Sequence, residues 1–415
     1  IYLSYSSSNK NQDFKIKFTN TTANKKMSHL KPSRGYLNSD PKPLPQEENV
    51  LKRQPRPLRM VKYVPTKRLQ YNIPIKEFDF SYDHKISKKL KKNEVIVQVE
   101  YVGLNGLDWK IKNGFDYAYD NSIVDFNSET CLGIEFSGEI IEVANKMDSD
   151  LNFQVGRKVM GVYYNIHNGT MESCIKVNLK TNLVIAQPNE ISSVLAGGSI
   201  FNLLTVLQIF RNILYKEVDT FKANNANILV IGGATNTSVM LLKYLNKMVN
   251  VKNVTIIASY DGCEYLKNIF YQWNENNWNF INYYENDHKD ELLDIVKTFG
   301  KYKYVFDFVG GEEYLSFSNE LVKSKGYFIS TVGSLMSNYS TDIYPESYYG
   351  SSVDSFKSWA SSFWKFYYYK FQFDFNYDVD LLMEAEDLLQ NQQTTDETRV
   401  LTCQINKVYD WRDFK

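Results

Sequence analysis

The side chains most able to do chemistry are sparse and scattered. Cys131, Cys174, Cys263 and Cys403 form no Cys-x-x-Cys pair, and none of the four histidines stands at ligand spacing from a cysteine. A catalytic zinc needs three such ligands and an open position, so no zinc site is expected. The same scatter argues against a disulfide framework and fits a reducing compartment. No acid–base or nucleophilic constellation stands out. The more informative arrangement lies in the backbone: the apolar run Asn227-Ile228-Leu229-Val230-Ile231 leads into Gly232-Gly233 and then a helix. Leu241, Leu242, Leu245, Met248 and Val249 form the apolar stripe of that helix.

The elements around this turn follow from hydrophobic periodicity. From about residue 191 strands alternate with helices: a helical stretch at 191–214, then apolar strands at 227–231, 254–258, 304–309 and 327–332. Continuous apolar strands of this kind belong to a doubly wound parallel sheet covered on both faces. Upstream the strands are shorter. In 94–101, Val95, Val97, Val99 and Tyr101 share one face, and Gln98 and Glu100 the other. Similar pieces at 136–143, 157–164 and 174–177, separated by Gly or Asn turns, predict a small β-rich domain. Residues 1–56 are Ser-, Asn-, Lys- and Pro-rich without sustained periodicity and read as a disordered basic arm. Late in the chain Tyr369, Phe371, Phe373, Phe375 and Tyr377 alternate strictly, the pattern of a strand with one apolar face. Such a face serves a core or subunit interface, or a membrane- or partner-binding patch.

Net charge is zero but unevenly placed. Residues 1–100 hold 21 Lys+Arg against 9 Asp+Glu, and the remainder 27 against 39. The basic runs at 52–59 and 88–92 suit a solvated arm and loop. They also suit anionic lipid, where each basic residue near the surface is worth about 1 kcal/mol. They are not interleaved with base-stacking aromatics, so nucleic-acid binding is not expected. No stretch approaches the roughly 18 apolar residues of a membrane-spanning helix. The first residues show no basic region followed by an apolar run, so no secretory signal is read there.

Several short motifs occur in a fixed order: Gly103-Leu104-Asn105-Gly106-Leu107-Asp108, Gly133-Ile134-Glu135-Phe136-Ser137-Gly138, Val155-Gly156-Arg157-Lys158-Val159, Phe201-Asn202-Leu203-Leu204-Thr205, Asp307-Phe308-Val309-Gly310-Gly311 and Thr331-Val332-Gly333. From about Met60 onward they resemble the medium-chain dehydrogenase/reductase superfamily, in particular its zinc-free quinone-reductase branch. Gly106 stands where Pro is usual, and Ile134 where the superfamily carries a histidine. The resemblance implies an α/β protein with a GroES-like β-rich domain (57–198) and a Rossmann-type doubly wound domain (199–345). A return segment (346–415) would complete the first domain. A homodimer through the edge of the parallel sheet is common in this fold.

The resemblance also implies a dinucleotide groove. In the zinc-free branch the turn after the first Rossmann strand is glycine-rich, so backbone amides and a helix N-terminus hold a diphosphate. Here Thr235, Asn236 and Ser238 replace three of those glycines, and the Cβ atoms of Thr235 and Ser238 are expected to crowd the diphosphate. The implied cofactor residues are Thr205, Gly232, Gly233, Thr235, Ser238, Gly310, Val332 and Gly333, with Ser259, Lys267 and Tyr283 around a 2′-phosphate. NADPH is then favoured over NADH, because Ser259 stands where NAD requires a ribose-binding acid, although Asp261 lies close by. Asn105, Asp108, Tyr117 and Tyr119 are cleft candidates. The basic leader, the altered turn and the aromatic late segment further resemble fungal membrane-associated proteins that deliver the plasma-membrane proton-pumping ATPase to the cell surface. That resemblance implies a cytoplasmic, weakly catalytic or non-catalytic factor, peripherally bound to membrane through the pump and anionic or raft lipid. A zinc-independent NADPH-dependent quinone or enal reductase is the alternative.

Overall fold

The computed structural model describes residues 59–65, 78–85, 89–106, 108, 132–163, 169–215, 217, 226–248, 253–270, 278–333, 365–390, 400–405 and 407–409. The expected arm, Tyr117 and Tyr119 lie outside these residues.

Strands β1 (Arg59–Pro65) and β2 (Phe78–Lys85) form a two-stranded antiparallel sheet. A second antiparallel sheet comprises β3 (Glu94–Gly103), β4 (Glu135–Val143), β5 (Lys158–Val162), β6 (Cys174–Asn178) and β7 (Leu183–Ala186), in the order β6-β3-β4-β5-β7. Val95, Val97, Phe136, Ile140, Val159 and Ile175 fill its core. The alternation expected in β3 fails at its end. A register shift between Val99 and Tyr101 leaves Glu100 without a partner on β4, and Tyr101 turns outward to 37% exposure.

The stretch expected as one helix is two, α1 (Ser193–Gly197) and α2 (Ile200–Asn212). Gly198, the C-cap of α1, divides it, and Gly197 packs so close to β3 that a Cβ would lie 2.9 Å from the Tyr101 Cβ. The parallel sheet follows: β8 (Asn227–Ile231), β9 (Asn253–Ala258), β10 (Trp278–Asn282), β11 (Tyr302–Asp307), β12 (Val322–Ser330) and β13 (Tyr367–Lys370). Helices α3 (Asn236–Met248), α4 (Tyr260–Ile269), α5 (His288–Phe299) and α6 (Ser318–Leu321) stand between successive strands from β8 to β12, and α7 (Val379–Gln390) follows β13. Helix α2 is buried from Asn202 through Phe210 and packs on α3, α7 and β5, so one core joins the two sheets. Each fully buried Leu or Ile there contributes roughly 1.5–3 kcal/mol.

Strand order in the parallel sheet is β10-β9-β8-β11-β12-β13. The order reverses between β8 and β11, and the crevice at their carboxyl ends is where an open α/β sheet takes its ligand. The edge strand corrects the expected division of domains. Tyr367–Lys370 pairs in parallel with β12, so part of 346–415 belongs to this sheet and not to the β-rich domain. The aromatic alternation persists in burial beyond Lys370, but strand pairing stops there. In place of a neighbouring strand, the buried Gln208 side chain donates to the Asp374 carbonyl oxygen (2.7 Å) and accepts from the Asp374 amide (2.9 Å). Phe373 lies against Phe201 with ring centroids 4.6 Å apart, and Phe371 to Tyr377 pack on the main core. Of the uses open to this face, it serves the core. Among the described residues no helix is long and apolar enough to cross a membrane.

Candidate functional site

The chain leaves β8 into the crevice at Gly232, whose φ of 77° lies in the left-handed region that glycine adopts readily. A Cβ on Gly232 would lie 2.6 Å from Val309 Cγ2, and one on Gly233 would overlap Ile256 of β9. Packing alone therefore requires both glycines. Ser238 is placed differently from expectation. It is fully buried, and its hydroxyl donates to the Gly232 carbonyl oxygen (2.6 Å) and hydrogen-bonds the Thr235 hydroxyl. Thr235 Oγ1 accepts from the Ser238 amide (3.3 Å), a side-chain cap on α3. Ser238 thus locks the turn from beneath and does not crowd the groove. Thr235 and Asn236, both half-buried, remain at its mouth. The first-turn amides of Asn236 and Thr237 have no acceptor within the helix, and the partial positive charge of the helix end stays at the crevice. The Thr237 hydroxyl donates to Asn202 Oδ1 (2.7 Å), joining α3 to α2 beside it.

The opposite wall is organised by Asp307, buried at the end of β11. Its carboxylate accepts from the amides of Val309 (3.0 Å) and Gly310 (2.9 Å) and from the Ser330 hydroxyl (2.8 Å). Burial raises its pKa, and these donors oppose the rise. Ser330 Oγ in turn accepts from the Gly333 amide (2.8 Å), and a Cβ on Gly310 would lie 2.6 Å from Val332 Cγ1. Gly310, Val332 and Gly333 are therefore brought together.

Of the residues implied for a 2′-phosphate, Ser259 and Tyr283 adjoin at the strand end, and Lys267 stands apart from them. Ser259 Oγ accepts from the Gly262 amide (3.1 Å), capping α4. The Tyr283 amide donates to the Ala258 carbonyl oxygen (3.1 Å), and its ring lies 4.4 Å from that of Tyr284. Lys267 is eight residues beyond Ser259, about 12 Å along the helix axis. Its ammonium is 3.0 Å from Glu264 and lies over the Phe280 ring. The residues present thus fit the diphosphate of a dinucleotide and do not fit the additional phosphate of NADPH.

In the cleft, the Thr205 hydroxyl is buried and donates back to the Phe201 carbonyl oxygen (2.8 Å). Asn105 is half-buried, and its amide donates to Asp108 Oδ2 (3.0 Å). The buried Asp108 also accepts from the Gly133 amide (2.8 Å). Its carboxylate pins two motif segments together. Burial pushes its pKa up to about 6 against those two donors. Sequence reading did not single out Glu135 as a site residue. It is buried too, and Oε2 accepts from the Phe201 amide (3.1 Å), so a carboxyl from β4 caps α2. Burial, reinforced by the Asp108 charge, pushes Glu135 up to about 8, against the Phe201 amide and the Asn105 side chain. The signal for it was an acid inside the apolar opening of a strand. Nearby, Lys243 Nζ donates to the Thr402 carbonyl oxygen (2.9 Å), and the Cys403 amide donates to Ser199 Oγ (2.8 Å). Burial, helped by Glu135, pushes the Cys403 thiol up to about 12.

Residues 91–206 match the alcohol dehydrogenase GroES-like domain. The fold is that of a quinone oxidoreductase from Coxiella burnetii, with a TM-score of 0.57 at 19% identity over 80% of this chain and 87% of that one. A mycobacterial protein complexed with NADPH gives a TM-score of 0.55 at 16% identity, covering 81% of this chain and 90% of its own. Protein AST1 of Saccharomyces cerevisiae is 31% identical over 406 residues, 90% of this chain and 89% of the relative. Protein AST2 of the same yeast is 31% identical over 402 residues, with 91% and 90% covered. The chain belongs to the AST family of the medium-chain dehydrogenase/reductase superfamily. Within the AST family, this chain sets a GroES-like antiparallel sheet beside a Rossmann-type parallel sheet, as its motifs imply.

Proposed function

We propose that the chain is a membrane-peripheral factor that assists delivery of the plasma-membrane proton-pumping ATPase to the cell surface, its reductase fold acting as a scaffold with little or no catalysis. The observation that carries this reading is the cleft floor. Asp108 and Glu135 are buried and occupied with backbone amides, and Thr205 is bonded back within its own helix. The pump and the anionic lipid come from the resemblance of the leader, turn and aromatic segment to fungal pump-delivery proteins. Supporting that resemblance, the relation to two yeast proteins runs through nine-tenths of the chain.

The test uses the purified full-length chain. It should float with vesicles of phosphatidylcholine and phosphatidylserine at low salt and lose them as salt rises, because attraction between exposed charges is screened. The pump should co-purify with the tagged chain from solubilised plasma membranes. Equal binding to neutral vesicles, or failure to retain the pump, would overturn the reading. A zinc-independent NADPH-dependent quinone or enal reductase is the second reading. It is favoured by the helix N-terminus kept at the crevice and by the NADPH in the mycobacterial neighbour, and opposed by Lys267 standing away from the ribose end. Steady turnover of a quinone or enal would replace the first reading with this one.

A further inference from the structure

We infer that the groove selects a dinucleotide whose ribose 2′-hydroxyl is free, NAD(H), and that Asp261 decides the choice. In an open α/β sheet entered through a glycine turn after its first strand, the adenosine ribose lies at the end of the next strand. That end is Ala258, and Ser259, Tyr260 and Asp261 follow it directly. A second contact fixes the start of α4 beside the diphosphate turn. A Cβ on Gly262 would lie 2.8 Å from the Ala234 Cβ, so the residue after Asp261 is pressed against the turn itself.

A 2′-phosphate placed there needs a cation or a free helix end. At the N-terminus of α4, Ser259 Oγ takes the Gly262 amide, and Asp261 already places an acid in the first turn, whose charge a phosphate would have to join. Lys267 is held elsewhere. Its ammonium lies over Phe280, which pairs with Ile256, two residues or about 7 Å back from the strand end. The exposed Asp261 carboxylate is an acceptor. It suits the two hydroxyl donors of a free ribose and repels a phosphate dianion.

The test is equilibrium binding of NADH and NADPH to the full chain, read by nicotinamide fluorescence. Adenosine 5′-monophosphate and adenosine 2′,5′-bisphosphate compete in parallel. NADH should bind at least about tenfold tighter than NADPH, since juxtaposed like charges are strongly disfavoured. Asp261→Asn should narrow the ratio and Asp261→Arg invert it, and Lys267→Ala should leave it unchanged. Asp261 is exposed, and circular dichroism verifies the fold of each variant. NADPH binding as tightly as NADH, a selective loss of NADPH in Lys267→Ala, or no NADH binding at millimolar concentration would overturn the inference. None of these outcomes bears on the pump, which the flotation and co-purification experiments test separately.

Discussion

Replacing Glu135 with Gln should change how stability depends on pH. Glu135 is buried against Gly103, where a Cβ would lie 2.5 Å from Oε1, and Oε2 receives the Phe201 amide. Its pKa in the fold is pushed from 4.5 up to about 8, chiefly by burial. A group whose folded pKa is raised gives its full stabilising contribution below the unfolded pKa and loses it as pH rises through the folded value. The wild type should therefore lose stability between about pH 4.5 and 8 that the variant keeps. The gap of about 3.5 pH units corresponds to roughly 5 kcal/mol. A glutamine oxygen still accepts from the Phe201 amide, so the two proteins should be similar near pH 4.5. Asp108, raised in the same sense, titrates with Glu135 and deepens the loss in the wild type. Urea unfolding at half-unit steps from pH 5 to 9 reads the difference directly. Parallel stability profiles for the two proteins would refute the burial of an ionisable Glu135.

Three further outcomes follow. Gly233→Ala sets a methyl against Ile256 and should cost about 1–3 kcal/mol, seen as a lower urea midpoint. Ser238→Gly restores a reductase-type glycine but removes a buried hydrogen bond, at a cost of about 1–3 kcal/mol. It should bring no gain in dinucleotide affinity, and a gain by titration would place the Ser238 side chain in the groove. Cys403, buried and with its thiol pushed up to about 12, should resist a thiol reagent at pH 8 until the protein is unfolded, as read by mass spectrometry of labelled peptides.

The parallel sheet was legible because its strands are continuous apolar runs, and the strand–Gly232–helix unit because a change of period flanks a glycine pair. Other features depend on contacts that a linear reading does not hold. Tyr101 continues the alternation of Val95 and Val97, and one bulge reverses it. Tyr367–Lys370 is aromatic on both faces, so its periodicity could not say which sheet it joins. The orientation of Ser238 was available: positions 238, 241, 242 and 245 form a single helical stripe, which places the hydroxyl inward with the leucines. The roles of Asp108 and Glu135 were not, because burial and helix capping come from segments distant in sequence.

The proposed scaffold role in pump delivery predicts, and is tested most directly by, the amount of proton pump at the surface of cells deprived of this chain and then given back the wild type or Asn236→Asp. The substitution puts a carboxylate where a diphosphate would lie, and an acid suits that helix end, so the fold is kept. Loss of surface pump on removal, with equal recovery for both proteins, is the result predicted. Unchanged surface pump on removal, or a folded Asn236→Asp protein that restores nothing, would contradict it.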